Sequence, residues 1–325
     1  MKKINLLLLA GVSLLCLAPA SALETDCVIH DPSTIVKSGG RYWVFGTGLG
    51  VTIYSSLDKK HWILEPPVFA AAPGWIAAAV PGNTRRFYWA PEVHRLHGLY
   101  YVYYAVSTFG SNTSAIGLAA SPTLVNPHWT DLGPVIQSSS RSSYNTIDPS
   151  ILSGPDGKLW LAFGSYWSGI KMVQLDAGTG RLLASNPQVF ALAAHPQDPI
   201  DSIEAPYLYH HGGYYYLFVN WDRCCRGERS TYNIRVGRSR TAVGPYLDKG
   251  GRAMTAGGGE SFMTATADNS AGHKEVGTGQ AGIFTDRGQD YFSYHDEWAE
   301  DHAGAPMLNI RKLTWEADGW PRLAD

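Results

Sequence analysis

Five runs rich in aromatic and β-branched residues recur along the chain at long intervals. They occupy residues 42–46, 100–104, 159–163, 214–218 and 291–295, and their first residues lie 58, 59, 55 and 77 positions apart. Such runs, most of them introduced by glycine or a polar turn, predict β-strands. A repeat of about 50 to 60 residues with room for four short strands is typical of a β-propeller, and a sandwich or barrel lacks it. We therefore predict an all-β, five-bladed β-propeller.

A polar or charged group precedes each run. The segments are His30-Asp31-Pro32, Ala90-Pro91-Glu92, Ile147-Asp148-Pro149, Glu204-Ala205-Pro206 and Gly272-His273. The innermost strands of a propeller border its central channel, so groups at equivalent strand starts converge near one axis. We expect four carboxylates and one imidazole around one cavity, which would be the active site. A single aspartate before proline would favour a turn cap instead, but the repetition favours a site.

The N-terminus has the three-part layout of a secretory signal peptide. Lys2 and Lys3 form a basic region, residues 4–17 are uncharged and mostly apolar, and residues 20–22 (Ala-Ser-Ala) form a small-residue cleavage site. The apolar run is short for a membrane anchor, and no later run is long enough to span a bilayer. We predict that residues 1–22 are removed and that residues 23–325 form a single secreted domain, extracellular or periplasmic.

The composition excludes several classes of partner. The formal net charge is −2, 17% of residues are charged and 12% are aromatic, with no basic patch. This pattern excludes a nucleic-acid partner and, after cleavage, a membrane partner. Exported chains that are rich in aromatic residues and weakly charged often bind sugars. We expect a monomer.

Cysteine usage excludes a disulfide-stapled scaffold. The predicted mature chain holds Cys27, Cys224 and Cys225, and it lacks the CxxC and HExxH patterns of zinc sites. The adjacent Cys224 and Cys225 are either a vicinal disulfide or two small thiols.

Eight segments, taken in order, resemble one known family. They are His30-Asp31-Pro32-Ser33, Trp89-Ala90-Pro91-Glu92, Phe109-Gly110-Ser111-Asn112, residues 145–150, residues 164–171, Ile203-Glu204-Ala205-Pro206, Cys224-Cys225-Arg226-Gly227 and Gly257-Gly258-Gly259. Together they resemble the α-L-arabinanases of glycoside hydrolase family 43, which are five-bladed propellers that cleave 1,5-linked arabinan in plant pectin. The resemblance runs from about Cys27 to Trp320. The acid-proline motifs fit a wider group of furanose-processing propellers, whereas the Cys-Cys-Arg-Gly and Ser-x-Trp-Ser-Gly-Ile motifs are narrower.

The resemblance implies a role for each of three carboxylates. Asp31 matches the general base that activates water, and Glu204 matches the general acid that protonates the leaving oxygen. Asp148 matches a third carboxylate that raises the pKa of the acid and orients it. Such an acid must stay protonated near neutral pH, which requires burial or a neighbouring negative charge. A base and an acid about 6.5–9.5 Å apart invert the anomeric centre.

The resemblance also implies contacts with the sugar chain. Phe109 and Gly110 match a platform beside the scissile bond, and Trp89 matches an aromatic wall, although each could instead belong to the core. The other expected pocket residues are Asp31, Asn145, Thr146, Ile147, Asp148, Ser165, Tyr166 and Trp167. His273 matches a histidine that holds a metal ion, taken as calcium, in the central channel together with several waters.

Three features of the sequence depart from the family pattern or stand outside it. Glu92 stands where aspartate is usual, which we interpret as a tolerated structural change. Glu260 stands where a small hydroxyl residue is common, and residues 261–279 are unusual in composition. A loop there that closed one end of the groove would make the enzyme exo-acting. Residues 295–297 (His-Asp-Glu) form a charged cluster that we expect in a solvated loop.

The sequence therefore predicts a secreted, inverting endo-1,5-α-L-arabinanase. An exo-acting arabinanase, an α-L-arabinofuranosidase or a β-xylosidase on the same fold would use the same trio of carboxylates. A non-catalytic sugar-binding propeller would not need that trio. A fructan hydrolase is disfavoured because His30 and Ala205 stand where such enzymes usually carry asparagine and cysteine.

Overall fold

The fold is all-β, as predicted. The structure, a computed structural model, describes Leu23, residues 25–268 and residues 272–324, so the predicted signal peptide lies outside the described residues. Helix within the described part is limited to four short pieces, Ile76–Ala79, Gly227–Arg229, Met254–Ala256 and Glu300–His302. No helix in these ranges is long and apolar enough to cross a membrane.

Five antiparallel sheets follow one another along the described chain. Sheet 1 contains Val36–Ser38, Arg41–Gly46, Thr52–Ser56 and Trp62–Glu65. Sheet 2 contains Phe87–Leu96, Leu99–Val106, Ser114–Ser121 and Thr130–Ser138, with Gly48–Leu49 paired to its first strand. Sheet 3 contains Ser150–Ser153, Leu159–Phe163, Ile170–Leu175 and Phe190–Ala193.

The remaining strands form two further sheets of the series and one small sheet. Sheet 4 contains Ile203–His211, Tyr214–Trp221, Asn233–Ser239 and Glu260–Met263. Sheet 5 contains Gly279–Asp286, Gln289–His295, Leu308–Trp315 and Pro321–Leu323. The small sheet contains Thr266–Asp268, Lys274–Val276 and Trp298–Ala299. Its first two strands lie between sheets 4 and 5 in the sequence, and its third lies between the second and third strands of sheet 5.

Each of the five aromatic runs forms the second strand of a sheet. Leu159–Phe163 in sheet 3, for example, is buried at all five positions. A second strand has a partner strand on both sides and packed side chains on both faces, so its sequence is almost continuously apolar. This explains why these strands were the easiest to find in the sequence.

The first strand of each sheet is preceded or interrupted by a residue in the left-handed backbone conformation. These residues are Asp31, Ala90, Asp148, Ala205 and Gln280, with φ values of 50°, 39°, 57°, 50° and 57°. In sheets 2, 4 and 5 the pairing register shifts at this point, as in a β-bulge. A bulge bends the strand and re-aims its side chains. The repeat therefore carries a backbone irregularity as well as a strand.

The five sheets pack on one another in a closed cycle. Buried clusters lie between sheets 1 and 2 (Phe45, Tyr88), 2 and 3 (Tyr103, Leu161), 3 and 4 (Met172, Leu217), 4 and 5 (Phe218, Phe292), and 5 and 1 (Ile310, Val44). The last contact joins the end of the chain to its beginning. Polar contacts support it, since the Tyr42 hydroxyl donates to Asp286 at 2.8 Å and the Leu308 N–H donates to the Cys27 carbonyl at 2.9 Å.

Candidate active site

A cavity of about 1170 Å³ opens where the first strands of the five sheets begin. Each sheet contributes the left-handed residue or its neighbour to the lining, namely Asp31, Trp89, Asp148, Glu204 and Gln280. Of the eleven residues expected to contact substrate, ten line this cavity. The structure thus brings together residues that are far apart in the sequence.

Asp31 lies among hydrogen-bond donors and a histidine. Its carboxylate accepts a hydrogen bond from the Thr47 hydroxyl and lies 2.9 Å from Nδ1 of His30. Its backbone N–H donates to Nδ1 of His295 at 3.2 Å. Burial alone would raise the pKa of Asp31, but His30 and these other partners outweigh it and hold the pKa below its usual value. Asp31 is therefore ionised at neutral pH.

A buried network continues behind Asp31. Oε1 of Glu297 lies 3.1 Å from Nε2 of His30 and 3.4 Å from Nε2 of His295. Burial lowers the pKa of His30, but the adjacent Asp31 and Glu297 carboxylates overcome this and hold it well above the usual value. A protonated His30 between two carboxylates therefore fixes the position of Asp31.

Glu204 has the opposite electrostatic environment. Its side chain is 8% exposed, and its Oε2 accepts a hydrogen bond from the Ser165 hydroxyl at 2.7 Å. Burial raises the pKa of Glu204 to about 7, and the negative charge of Asp31 acts in the same direction, against the Ser165 hydrogen bond. A carboxyl group in this environment holds its proton up to neutral pH.

Asp148 stands beside Glu204. It is 7% exposed, and its Oδ2 accepts a hydrogen bond from the Ala205 N–H at 3.0 Å. Burial, then the charges of Glu204 and Asp31, raise the pKa of Asp148 well above its usual value. Because the two carboxyl groups interact, a charge on either one favours the neutral form of the other.

A tight loop places Ser165 next to Glu204. Tyr166 and Trp167 both have positive φ values, 54° and 52°, and the Tyr166 N–H donates to the Ile203 carbonyl at 2.8 Å. The buried ammonium group of Lys171 donates to the Ser168 carbonyl and so anchors this loop. The loop is therefore held against the strand that bears Glu204.

Exposed aromatic side chains line the cavity. Phe109 is 84% exposed and packs edge-on against Trp89 at 5.7 Å, and Trp167 is 41% exposed. The buried amide Oδ1 of Asn145, which also lines the cavity, has no hydrogen-bond partner within the described residues. Apolar faces with isolated polar groups between them suit a sugar chain, which has both apolar faces and hydroxyl groups.

A vicinal disulfide forms part of the same lining. Cys224 and Cys225 are bonded to each other, which answers the question that the sequence left open. The neighbouring Arg223 pairs with Asp198 at 3.4 Å and so ties this turn to the loop on the same side of the cavity.

Comparison with known proteins identifies the family. Residues 26–321 match the family described as Glycosyl hydrolases family 43. The chain belongs to this family. It is 40% identical to the extracellular endo-α-(1→5)-L-arabinanase 1 of Bacillus subtilis, over 97% of this chain and 94% of that relative. It is 38% identical to the extracellular exo-α-(1→5)-L-arabinofuranosidase of Cellvibrio japonicus, over 97% of this chain and 91% of that relative.

Solved structures of this family have the same fold. An exo-1,5-α-L-arabinanase from a bovine ruminal metagenomic library superposes with a TM-score of 0.84 at 37% identity, covering 93% of this chain and 100% of that one. The native arabinanase of Bacillus subtilis gives 0.82 at 38% identity, covering 94% and 100%. This family 43 protein is a glycoside hydrolase, as predicted.

Thr146 is the expected contact residue that does not line the cavity. It is fully buried in this family 43 enzyme, where its hydroxyl donates to the Ser114 carbonyl at 2.9 Å and contacts the Ser138 hydroxyl at 3.0 Å. The prediction was wrong at this position because alternate residues of an extended segment face opposite sides. Thr146 instead fixes the segment that presents Asn145 and Ile147.

The expected position of His273 was also wrong. Its ring is 49% exposed, its Nδ1 lies 3.0 Å from Asp301, and it does not line the cavity. The fifth equivalent position belongs to Gln280, which has the left-handed φ and lines the cavity. Two strands of the small sheet precede sheet 5, so the position equivalent to Asp31 and Asp148 lies at Gln280, seven residues after His273.

Residues 295–297 were expected in a solvated loop, and this was wrong as well. His295 and Asp296 are 0% exposed and Glu297 is 7% exposed. His295 ends the predicted strand 291–295, which indicated that His295 is buried. The contact of Glu297 with His30 had no such local signal, because the two residues lie 267 positions apart. Tyr232 and Thr47 are further cavity residues that carried no motif.

Glu92 and Glu260 do not line the cavity. Oε2 of Glu92 accepts a hydrogen bond from the Thr34 N–H at 3.0 Å, so Glu92 links sheet 2 to the start of sheet 1. Three carboxylates of the predicted four therefore face the cavity. Glu260 begins the outermost strand of sheet 4, and in the described part of residues 260–279 no residue lines the cavity.

The expected calcium ion does not fit His273. Calcium takes about six to eight oxygen ligands, and His273 lies at the surface beside Asp301. Next to the cavity, which only His30 of the three lines, His30, His295 and Glu297 place potential ligand atoms within 4.8 Å of one another. That donor set offers two nitrogens and one oxygen, so water would have to supply most of a calcium shell.

Proposed function

We propose that this protein hydrolyses α-1,5-L-arabinofuranosidic bonds in arabinan with inversion of configuration. The observation that carries the proposal is the contrast between Asp31 and Glu204 in one cavity. Asp31 contacts a histidine and a hydroxyl group that favour its charged form, whereas Glu204 is buried where its neutral form is favoured. The names of the relatives from Bacillus subtilis and Cellvibrio japonicus support arabinan as the substrate.

Asp31 acts as the general base. Its ionised carboxylate takes a proton from water, and the water oxygen forms a bond to the anomeric carbon. His30, held by Glu297 on its other side, keeps the carboxylate oriented and offsets its charge. A base must be within hydrogen-bond reach of the proton it removes, so this fixed position determines where water attacks.

Glu204 acts as the general acid. As the glycosidic bond breaks, its proton moves to the leaving oxygen, and the reaction leaves Glu204 ionised and Asp31 protonated. Where Asp148 is the ionised member of the pair, its charge favours the proton on Glu204 before the reaction. Through the Ala205 N–H, Asp148 also holds the backbone beside Glu204. Attack on one face and departure from the other invert the anomeric centre, as in other glycosidases with a separated acid and base.

We also propose that sheets 1 to 5 are the blades of a five-bladed β-propeller in a single domain of residues 23–325. The closed cycle of buried clusters supports this arrangement. We propose secretion after removal of residues 1–22 and action as a monomer. The extracellular relatives support secretion.

Endo cleavage is the pattern that we propose. The segment suspected of closing the groove, Glu260 and the described part of 261–279, does not line the cavity. The test is a time course of products from linear 1,5-arabinan, resolved by chain length. A mixed ladder at early times is expected, a single short product from the start would overturn endo cleavage, and no product would overturn the substrate.

The cation stays a proposal, with its donors moved from His273 to the group formed by His30, His295 and Glu297, where it would replace the proton on His30, because only a neutral imidazole binds a metal. It would supply positive charge beneath the cavity. Dialysis against EDTA, with thermal unfolding and metal analysis as readouts, tests it. Bound metal absent from freshly purified protein, with no change in unfolding on adding calcium, would overturn it.

A further inference from the structure

A second cleft, of about 630 Å³, lies between sheet 4 with its following loop and the last turn of sheet 5. It shares no lining residue with the candidate active site. Tyr214, Arg238, Arg240, Lys249 and Trp320 are among the residues that form it. The cleft therefore combines three cationic side chains with two aromatic rings.

The two guanidinium groups are held in place by stacking. Arg238 lies 4.4 Å from the ring centre of Tyr214 and 4.6 Å from that of Trp320, and Arg240 lies 3.5 Å from the Tyr214 ring. Arg238 donates to the Asp318 carbonyl, and Arg240 donates to the Gly213 carbonyl at 3.2 Å. Stacked and bonded to neutral partners, both groups keep their charge and lose little further freedom on binding a ligand.

Neither guanidinium group lies within 4.0 Å of a carboxylate in the described part of the chain. Lys249 is paired with Glu316 at 3.3 Å. The Asp248 carboxylate instead accepts the N–H groups of Arg252 and Gly259. Asp318 also lines the cleft, and its carboxylate accepts the Trp320 N–H at 3.2 Å. The acidic side chains at the cleft are thus engaged elsewhere, and the Arg238 and Arg240 guanidinium groups form no ion pair within the described residues.

We propose that this cleft binds the carboxylate groups of an acidic polysaccharide. The planar guanidinium group matches a carboxylate with two parallel hydrogen bonds, and two such groups side by side suit a chain with repeated carboxylates. The formal net charge of −2 disfavours polyanions in general, and two guanidinium groups are too few for the basic stripe that a nucleic acid requires. Binding has to come from the cleft itself.

The ligand class also fits the location of the substrate. Arabinan is a neutral side chain, and in pectin it is attached to a backbone that carries uronic acids. A site for that backbone would hold the enzyme beside its substrate. This benefit rests on the proposed function, whereas the binding does not.

The test is affinity electrophoresis in native gels that contain polygalacturonate. We expect the wild-type protein to be retarded at low salt and the retardation to fall as salt is added. The double variant Arg238→Gln/Arg240→Gln should bind about tenfold more weakly, as expected for the loss of two exposed charge pairs. Arg95→Gln is the matched control, because Arg95 is an exposed arginine that stacks on Tyr100 at 5.5 Å outside the cleft.

Three outcomes would overturn the proposal. They are equal retardation of the wild-type protein and the double variant, absence of retardation of the wild-type protein at low salt, and equal retardation by neutral galactan. Turnover of neutral linear arabinan should be unchanged in the double variant, which shows that it is folded. A wild-type protein that binds polygalacturonate without cleaving arabinan would refute the proposed function and leave this site standing.

Discussion

Asp148 accepts a hydrogen bond from the backbone N–H of Ala205 at 3.0 Å. The bond crosses from the start of sheet 3 to the first strand of sheet 4, beside Glu204. Both residues have positive φ values, 57° and 50°, which for residues other than glycine costs about 1 kcal/mol or more and persists only where contacts enforce it. One carboxylate therefore fixes the backbone that carries the other.

Glu204→Gln should abolish arabinan hydrolysis while substrate binding is largely retained. Loss of a general acid lowers kcat by roughly 100- to 10,000-fold, and glutamine keeps the shape of the side chain. The measurement is kcat on arabinan together with the Kd of an arabino-oligosaccharide. A substrate with an acidic phenol as leaving group needs less protonation and should lose less activity. On the same substrate, Asp31→Asn should lose as much activity as it does on arabinan. Retained arabinan turnover in Glu204→Gln would exclude Glu204 as the general acid.

The rate should fall on the alkaline side of the pH profile. A general acid works while it is protonated, so kcat/KM should be highest below the pKa of Glu204, about 7, and should fall as the pH rises through that value. The Ser165 hydroxyl stabilises the charged form, so Ser165→Ala should raise this pKa and move the alkaline limb up by roughly 0.5 to 1 unit. Ser168→Ala, in the same loop but without a hydrogen-bond partner for its hydroxyl in the described chain, is the control. A downward shift in Ser165→Ala would contradict the assignment.

Phe109→Ala should raise KM for long arabinan chains by roughly three- to tenfold and leave the midpoint of thermal unfolding unchanged. The side chain is 84% exposed at the cavity, so it contributes contact area for a ligand and little to the core. Ile63→Ala is the control, since Ile63 is 57% exposed on the outer strand of sheet 1. Steady-state kinetics that show unchanged KM would exclude Phe109 as a sugar platform.

Reduction of the Cys224–Cys225 disulfide should raise KM and leave the unfolding temperature unchanged. The bond lines the cavity, but it joins sequence neighbours and closes no loop, so it does not reduce the entropy of the unfolded chain. Kinetics and thermal unfolding with and without a phosphine reductant test this, with free thiols counted in parallel. Cys27 is buried and unpaired, and the variant Cys27→Ala should respond in the same way. A lower unfolding temperature with unchanged KM would assign the bond to stability.

Asp286→Asn should destabilise the protein by about 2 kcal/mol at neutral pH. Asp286 of sheet 5 contacts Tyr42 at 2.8 Å and Lys59 at 2.7 Å, both on the sheet 1 side of the closing contact. The hydrogen bond from Lys59 lowers the pKa of Asp286, so its stabilisation is present above the unfolded pKa and is lost as the pH falls. Urea unfolding should show the two proteins converging below about pH 4. A difference in unfolding free energy between the two proteins that stays constant with pH would exclude the ion pair as the cause of the destabilisation.

Short-range patterns were enough to predict the all-β fold and to single out Asp31, Asp148 and Glu204, which the structure brings to one cavity. The aromatic runs mark the second strands because burial on both faces demands apolar residues along their whole length. Asp31, Asp148 and Glu204 each occur in a local acid-proline motif, so one segment of sequence identifies each.

Only the tertiary structure decided which residue completes the fifth repeat and which charged groups are buried. The inserted small sheet lengthened the last interval, so Gln280 occupies the position expected for His273. Residues 295–297 look solvated by composition and are buried. Burial of a charge is stable where a partner compensates it, and one of the two histidines that contact Glu297, His30, lies at the other end of the chain. Such pairs exist only after the first and last sheets meet.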